Sequence, residues 1–520
     1  MKSEKLDIKY AENFSRNVIT NVIQLAVNIL IGLLLVPFFI DTLGPAAYAL
    51  IPLATSLTTY VILFVDVINA AIARFLTIEL QRGDVKKANE TYSTSFTILI
   101  GFVIILTPVV LLISYFAPNI FETGSISSVE VSIFFALIML SVLVSALKSN
   151  FMVVLFSYNR LDLRNIVTIV QTLGQVIIIV LLFNIFGPSL PSVGFAYLSA
   201  AVVSFILSYL LARKQTDVVS YSLSSFNKSR IRELAGLSFF ILFDRLGCVM
   251  QSQIALIVVN IYFGAVLQAE YSLVITIGSF LVSLGGIVTS TVAPKVYSLA
   301  GLNDDIGVTR FVGMFTKITG LLIALPLALI CIFSEQLLTI WVGPEYAHIS
   351  SLVWLLIPVY YFTITLSCQS SIGISHNRMK IPALLNMVAG IVYLILALVF
   401  PTVFNNGYYG VALAYVVTIF TLHGIIGSMF YMYVLKGPLF TFIKKMWVGV
   451  FAMLILMLIG ILYTRVIVVN SIGMLLLSGI IFTTIYLVVL LRFVLSTEEK
   501  NLAKSCLPKC VQNMKIVKWI

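Results

Sequence analysis

The chain has 520 residues, of which 60% are hydrophobic and only 10% are charged. No soluble domain of this size can bury so large an apolar fraction, because surface area falls too slowly with mass. The composition therefore excludes a soluble protein, and we expect the formal net charge of +11 to reflect membrane orientation rather than nucleic-acid binding.

Long apolar runs predict an all-α, polytopic membrane protein with about fourteen transmembrane helices. A hydrocarbon core of about 30 Å requires about 20 apolar residues per helix, and the alternating segments of a membrane barrel are not seen. The polar N-terminal residues precede a run too long for a signal peptide, so the first span is expected to be retained. The predicted spans are 18–39, 46–68, 92–116, 131–157, 166–186, 193–212, 237–263, 267–293, 310–333, 348–374, 381–400, 408–435, 446–468 and 471–493.

Basic residues occur in alternate loops, which predicts the orientation of the spans. Lys and Arg concentrate in the N-terminal tail, near residues 82–87, 160–164 and 213–232, and in the C-terminal tail. The opposite loops contain none except Arg465. By the positive-inside rule, both termini are expected in the cytosol, with the chain in the cell membrane.

Polar side chains recur along the first two predicted spans at helical spacing. Span 1 carries four carboxamides at steps of 4, 3 and 4 residues, which places them on one helix face. They are Asn17, Asn21, Gln24 and Asn28. Span 2 carries Asp66 on a face with two threonines and an asparagine. Because unpaired amides are costly against lipid, these faces favour a water-filled cavity lined by spans 1, 2, 7 and 8.

The chain contains a short internal repeat. AAYALIPLATS opens span 2 and AEYSLVITIGS opens span 8, with Tyr48 and Tyr271 in register and a glycine (Gly44, Gly264) shortly before each. With the basic loop between spans 6 and 7, the repeat predicts two six-helix lobes of the same orientation, as in transporters that bind substrate between the halves. The predicted divisions are 1–17 (cytosolic tail), 18–212 (N-lobe), 213–234 (cytosolic inter-lobe loop), 235–435 (C-lobe), 436–495 (spans 13 and 14) and 496–520 (cytosolic basic tail).

Span 7 places two charges side by side in the stretch LSFFILFDRLGCVMQSQIALIVV (237–259). Counted from Glu233 at the inner end of the span, Asp244 lies about 16 Å deep, and Arg245 follows it. Adjacent residues point about 100° apart on a helix, so each requires its own partner or water. Two interpretations stay open: an interfacial pair that snorkels, or a substrate site near the cytosolic mouth of the cavity, with Gln251 as a further polar member.

Ionisable residues inside other spans are functional candidates because they are costly in lipid. Arg74 in span 2 and Lys317 in span 9 are further candidate cations, and Lys317 lies deeper. Lys148 is interpreted as a charge near the interface. Asp66 and Asp244 are the candidate ion-coupling residues, for a proton or for Na⁺.

Motifs of soluble and metal enzymes are missing from the sequence. Neither a GxxxxGK[ST] phosphate loop nor an HExxH motif occurs, and the histidines are isolated. We therefore predict no catalytic residue, no metal site and no cofactor. The outer loops are also short, which disfavours an integral-membrane glycosyltransferase or polymerase.

Three stretches carry a family resemblance: FVDVINAAIARFLTIELQRGDVKKANE (64–90), LLTIWVGPEYAH (337–348) and NRMKIPALLNMVAGIVYLILALVFPTVFNNGYYGVALAYV (377–416). They resemble the exit of span 2, the outer loop before span 10, and spans 11 and 12 of one family. This family is the polysaccharide-flippase branch of the multidrug/oligosaccharidyl-lipid/polysaccharide exporter superfamily. The sequence departs from the family at Val67-Ile68, where Leu-Gly usually follows the aspartate.

The resemblance implies a transporter, not an enzyme, that works by alternating access between two lobes. Its substrate would be an oligosaccharide linked to a polyprenyl (pyro)phosphate, flipped from the cytosolic to the outer leaflet among membrane lipids. Cations facing the cavity would contact the (pyro)phosphate. The candidate substrate-binding residues are Arg245, Asp244, Arg74, Lys317, Asn21, Gln24, Asn28 and Gln251. The alternatives are a drug/cation antiporter of the same superfamily and, less favoured, a membrane glycosyltransferase or polymerase.

Overall fold

A computed structural model of the chain describes residues 2–216, 220–376, 378–467, 469 and 471–500. The described residues are helical and contain no β-strand, and 14 of their segments are long and apolar enough to cross a membrane. The predicted all-α class and the predicted number of spans are therefore confirmed. Residues 217–219 of the inter-lobe loop and 501–520 of the basic tail lie outside the described residues.

Most spans are single long helices, because a helix satisfies its own backbone hydrogen bonds in lipid. In chain order the helices are α1 (Lys2–Leu43), α2 (Pro45–Arg82), α3 (Val85–Ile120), α4 (Ser128–Ser157), α5 (Leu161–Phe186), α6 (Leu190–Gln215), α7 (Lys228–Phe263), α8 (Ala265–Gly301), α9 (Asp305–Ile332), α10 (Ser334–Trp341), α11 (Ser350–Leu356), α12 (Tyr360–Ser367), α13 (Ser370–Ser375), α14 (Lys380–Val403), α15 (Tyr409–Ile419), α16 (Ser428–Val434), α17 (Thr441–Val466) and α18 (Ile472–Val489).

Two spans are irregular in ways that a hydropathy profile does not predict. The tenth span, Pro344–Ser375, is built from α11, α12 and α13. A 3₁₀ turn containing Pro358 separates the first two of these helices, as expected where a proline removes a backbone donor. The twelfth span contains a π-helical segment, Phe420–Gly427, between α15 and α16.

The two glycine corners of the internal repeat have matching backbone conformations. Gly44 has φ 84° and ψ 162° between α1 and α2, and Gly264 has φ 93° and ψ 168° between α7 and α8. Glycine adopts such positive φ values without the steric penalty of a side chain. The hydroxyl of Ser272 donates to that of Tyr48 at 3.4 Å, so the two copies of the repeat also touch each other.

Contacts between helices group the chain into two compact units. The first unit comprises residues 1–273 and 383–411, and the second comprises residues 274–382 and 412–520. Within the first unit, α4 packs on α6, and α2 packs on α4 and α7. Within the second unit, α9 packs on α17. The division into an N-lobe and a C-lobe stays a prediction.

The described part of the inter-lobe loop and the start of α7 are attached to α2 and α3 in the first unit. Arg230, at the start of α7, places Nη2 3.0 Å from Glu79 Oε1, and Thr91 Oγ1 donates to Glu79 Oε2 at 2.7 Å. Three backbone N–H groups of the loop also donate to α3 side chains, which fixes the path of the loop. These bonds run from Ser220 to Asn89, from Ser222 to Ser93 and from Asn227 to Thr94.

Candidate functional site

The carboxylate of Asp244 is held by a neighbouring span. Asn386 Nδ2 of α14 donates to Asp244 Oδ1 at 2.7 Å. The buried Gln251, two turns further along α7, donates from Nε2 to the backbone oxygen of Asn386 at 3.1 Å. Because a charged acceptor strengthens a hydrogen bond, Asp244 and Gln251 together attach α7 to α14.

Glycines allow α7 and α14 to cross at close range. A Cβ atom added at Gly247 would lie 2.5 Å from the backbone nitrogen of Met387 and closer still to the Asn386 carbonyl group. A Cβ added at Gly390 would lie 2.8 Å from Met250 Cβ and 3.2 Å from the backbone oxygen of Gly247. Small residues permit such close approach between membrane helices, and here the approach brings Asn386 within reach of Asp244.

Arg245 interacts with a different set of spans. Its side chain is exposed, and its charge acts on the exposed Asp66 carboxylate of α2. Arg164, in the first turn of α5, acts on the same carboxylate. Arginines from two other spans of the first unit thus act electrostatically on the Asp66 carboxylate, and we call Asp66, Arg164 and Arg245 the Asp66 cluster.

Arg164 is the member of this cluster that the sequence reasoning missed, since the sequence predicts it as a loop charge beside Arg160. The structure places it inside α5, with its guanidinium carbon 5.7 Å from the centroid of the Phe156 ring. A signal was available in the spacing. Arg164, Thr168 and Thr172 follow one another at four-residue steps, which continues a polar face into the span.

Two of the four carboxamides of α1 hydrogen-bond to α5, and the other two do not. Asn17 is buried and accepts a backbone hydrogen bond from the start of α5. Asn21 Oδ1 accepts from Asn165 Nδ2 of α5 at 2.7 Å. Further along, Gln24 is half-buried and Asn28 is exposed, and neither hydrogen-bonds to a described residue. That this face lines a cavity stays a prediction.

Lys317 has a carboxylate partner in the second unit. Its Nζ atom lies 2.7 Å from Glu499 Oε2 and donates to the backbone oxygen of Val494 at 3.0 Å. The side chains of Lys317 and Glu499 are only 13% and 4% exposed. Burial raises the pKa of Glu499, but hydrogen bonds from Lys317 and from the N–H of Ser496 outweigh it, so the pKa lies below its ordinary value. Lys317 thus anchors the residues that follow α18, and its contact with substrate stays a prediction.

The intramembrane cations Arg74 and Lys148 differ in their contacts with the rest of the protein. Arg74 is exposed on α2 and makes no hydrogen bond or ion pair with a described residue. Lys148 of α4 donates to Gln171 Oε1 of α5 and lies 3.4 Å from Ser204 Oγ of α6. Neutral oxygens from two neighbouring helices therefore hold the Lys148 ammonium inside the first unit, whereas Arg74 is free to meet a ligand.

We find no group of three or more His, Cys, Asp or Glu side chains among the described residues that could hold a metal ion. Cys331 and Cys368 are buried free thiols, and Cys248 is an exposed one.

Comparison with known proteins identifies related sequences. Residues 14–297, more than half of the chain, match the family described as "Polysaccharide biosynthesis protein". The "Uncharacterized membrane protein EpsK" of Bacillus subtilis (strain 168) is 26% identical over 418 residues, which cover 78% of this chain and 80% of that protein.

Solved structures share the fold at low sequence identity. The lipid II flippase MurJ in an inward closed conformation has a TM-score of 0.66 and 16% identity, covering 92% of this chain and 98% of that chain. An inward-facing multidrug resistance transporter of the MATE family has a TM-score of 0.66 and 14% identity, covering 83% and 95%. The equal scores do not distinguish a flippase from a drug transporter, so the distinction depends on side chains.

Proposed function

Because the chain belongs to the polysaccharide biosynthesis protein family, we propose that it is a flippase for a lipid-linked oligosaccharide. It moves a polysaccharide repeat unit on a polyprenyl (pyro)phosphate from the cytosolic to the outer leaflet of the cell membrane, and it forms no covalent bond. The single observation that carries this proposal is the Asp66 cluster, where Arg164 and Arg245 both act on the carboxylate of Asp66.

A (pyro)phosphate group cannot cross a low-dielectric region as a bare anion. Guanidinium groups bind phosphate oxygens through two parallel hydrogen bonds, so Arg245 and Arg164 lower the cost of the crossing. Asp66 competes with the headgroup for the same arginines. This competition keeps binding weak enough for the lipid to leave on the other side.

The exposure of Asp66 and Arg245 supports a hydrated path beside them. Charges on a membrane span are costly against lipid and normally face water or each other. The exposed Asn28 and the half-buried Gln24 of α1 belong to the same unit and offer amide groups to sugar hydroxyls. Arg74, exposed on α2 as well, is a further candidate for the headgroup.

Coupling to H⁺ or Na⁺ is assigned to Asp66 rather than to Asp244. The Asp244 carboxylate already accepts from Asn386, whereas Asp66 is exposed and accepts no hydrogen bond from a described residue. The basic loops orient the chain with both termini in the cytosol. In this orientation, the Asp66 cluster faces the leaflet in which the lipid-linked glycan is made.

A drug/cation antiporter is the second candidate, supported by the equal TM-score of the MATE transporter. The two arginines of the Asp66 cluster argue against it, because their positive charges repel a cationic drug. A deletion strain that is hypersensitive to cationic drugs but keeps its surface glycans would favour the antiporter.

Complementation of a flippase-null strain tests the proposal. We expect Arg245→Ala to abolish glycan export and Arg164→Ala to reduce it strongly, at unchanged expression and melting temperature. Arg245→Lys keeps part of the activity if a positive charge suffices. It keeps little if the phosphate must be bound through two parallel hydrogen bonds from a guanidinium group. Arg82→Ala, at the exposed inner end of α2, is the matched control. Normal export by Arg245→Ala would mean that the charge only anchors α7 at the interface.

A further inference from the structure

A separate cavity opens in the first unit where α3 begins and where α4 and α6 end. Its volume is about 240 Å³. Five of its nine lining residues are aromatic, and the wall is completed by Tyr221 of the inter-lobe loop, which meets the Phe96 ring edge-on at 5.2 Å. The lining residues are Tyr92, Phe96, Phe151, Val154, Tyr209, Ala212, Arg213, Thr216 and Tyr221.

One cation and no carboxylate line this cavity. The exposed Arg213 has its guanidinium carbon 5.8 Å from the centroid of the Tyr209 ring, and its charge also acts on the Tyr92 hydroxyl. None of the nine described lining residues is acidic. The cavity therefore combines a positive charge and phenol hydroxyls with an apolar wall, which suits an anion carried on an apolar body.

The second unit provides an internal comparison. A larger cavity of about 500 Å³ at the start of α9 and α17 also contains basic residues, but three carboxylates line it as well. Arg310 in that cavity already forms an ion pair with Glu498. The protein thus supplies a counter-charge to Arg310, whereas Arg213 forms no ion pair with a described residue.

We propose that the aromatic cavity binds the headgroup of an anionic phospholipid. Aromatic side chains concentrate at the membrane interface, and basic pockets between helices on the cytoplasmic side bind acidic lipid headgroups. A volume of about 240 Å³ corresponds to about eight waters, enough for a phosphodiester but too small for a glycan. Arg213 binds the phosphate, and the rings pack against the glycerol.

This binding site is independent of the flipped substrate. Lipid bound here contacts Tyr221, and the loop that carries Tyr221 continues through Asn227 and Arg230, both of which are bonded to the first unit. Occupancy of the cavity thus stabilises the path of the inter-lobe loop. The group that this cavity recognises is a phosphate ester. A lipid and a soluble glycerol phosphate both contain one.

Native mass spectrometry of the purified full-length protein tests this proposal. We expect phosphatidylglycerol to remain bound and phosphatidylcholine to dissociate. Arg213→Ala should weaken phosphatidylglycerol binding by at least about tenfold, since a hydrogen bond to a charged group is lost. Tyr221→Ala, which removes an exposed loop ring that packs on Phe96 of α3, should weaken binding as well. Arg310→Ala is the matched control and should bind lipid like the wild type.

Several outcomes would overturn the proposal. Retention of phosphatidylglycerol by Arg213→Ala at the wild-type level would remove the assigned contact. Equal loss in Arg310→Ala would mean that overall charge, and not this cavity, holds the lipid. Competition by soluble glycerol phosphate at the same concentration as lipid would identify a free phosphate ester as the ligand. Each outcome leaves glycan export by the Asp66 cluster untouched, so the two proposals fail separately.

Discussion

Replacing Gly247 with alanine tests whether α7 and α14 cross as closely as the structure indicates. The added Cβ atom would lie 2.5 Å from Met387 N and closer still to the Asn386 carbonyl group. Backbone atoms cannot rotate away as side chains do, so the helices must separate. Overpacking of this kind costs about 1–3 kcal/mol.

Separation also weakens the polar contacts on either side of Gly247. The hydrogen bond from Asn386 to Asp244 is 2.7 Å long, and that from Gln251 to Asn386 is 3.1 Å long. Interhelical hydrogen bonds in membranes contribute about 0.6 kcal/mol on average and at most about 1.7. Together with the steric cost, we expect Gly247→Ala to lower the free energy of unfolding by about 2–4 kcal/mol.

The assay is the apparent melting temperature of the purified protein in detergent. Gly174→Ala in α5 is the matched control, because a Cβ atom there would meet no atom within 4 Å. Alanine favours a helix over glycine by about 0.8–1 kcal/mol, so the control should melt at or above the wild-type temperature. A Gly247→Ala variant that melts with the wild type would refute the close crossing.

Three further predictions follow from other contacts. Lys317→Met leaves the buried Glu499 carboxylate without its cation and should lower the free energy of unfolding by about 3–5 kcal/mol. Adding Glu499→Leu should recover much of this loss. An unchanged melting temperature of Lys317→Met would contradict the ion pair. Because the pKa of Glu499 lies below its ordinary value of 4.5, the contribution of the pair is complete above pH 4.5 and is lost as pH falls through the lowered pKa. A pH series of melting temperatures should show this loss in the wild type but not in Lys317→Met. Arg230→Ala removes the cationic partner of Glu79 and should speed hydrogen exchange in residues 220–227. Slow exchange there would mean that the α3 contacts alone hold the loop.

The number of spans and the fold class could be predicted from the sequence because lipid fixes the length of each apolar run. Helix geometry predicts that Asp244 and Arg245 need separate partners; Asp244 accepts a hydrogen bond from Asn386, and the charge of Arg245 acts on Asp66. Which partners these are could not be predicted. Asn386 lies 142 residues from Asp244 along the chain, and only the packing of α7 on α14 brings them together.

The Asp66 cluster was predicted in part. Asp66 and Arg245 stand out because charges are rare inside spans, whereas Arg164 lies at a helix start, where a basic residue also fits a loop of the positive-inside pattern. The irregular segments of the tenth and twelfth spans could not be predicted either. Hydropathy reports where a segment is apolar, but not where a proline or a π-helical turn interrupts its hydrogen bonds.

Translocation in vesicles tests the central claim most directly. The purified protein is reconstituted into liposomes with a polyprenyl-diphosphate-linked oligosaccharide, and the fraction of glycan reachable by an added lectin or glycosidase is followed over time. We predict that the wild type exposes glycan from the inner leaflet, that Arg245→Ala does not, and that the glycan lipid is recovered chemically unchanged. Vesicles that export a cationic dye but leave the inner-leaflet glycan protected, or that form new glycosidic bonds, would contradict the account.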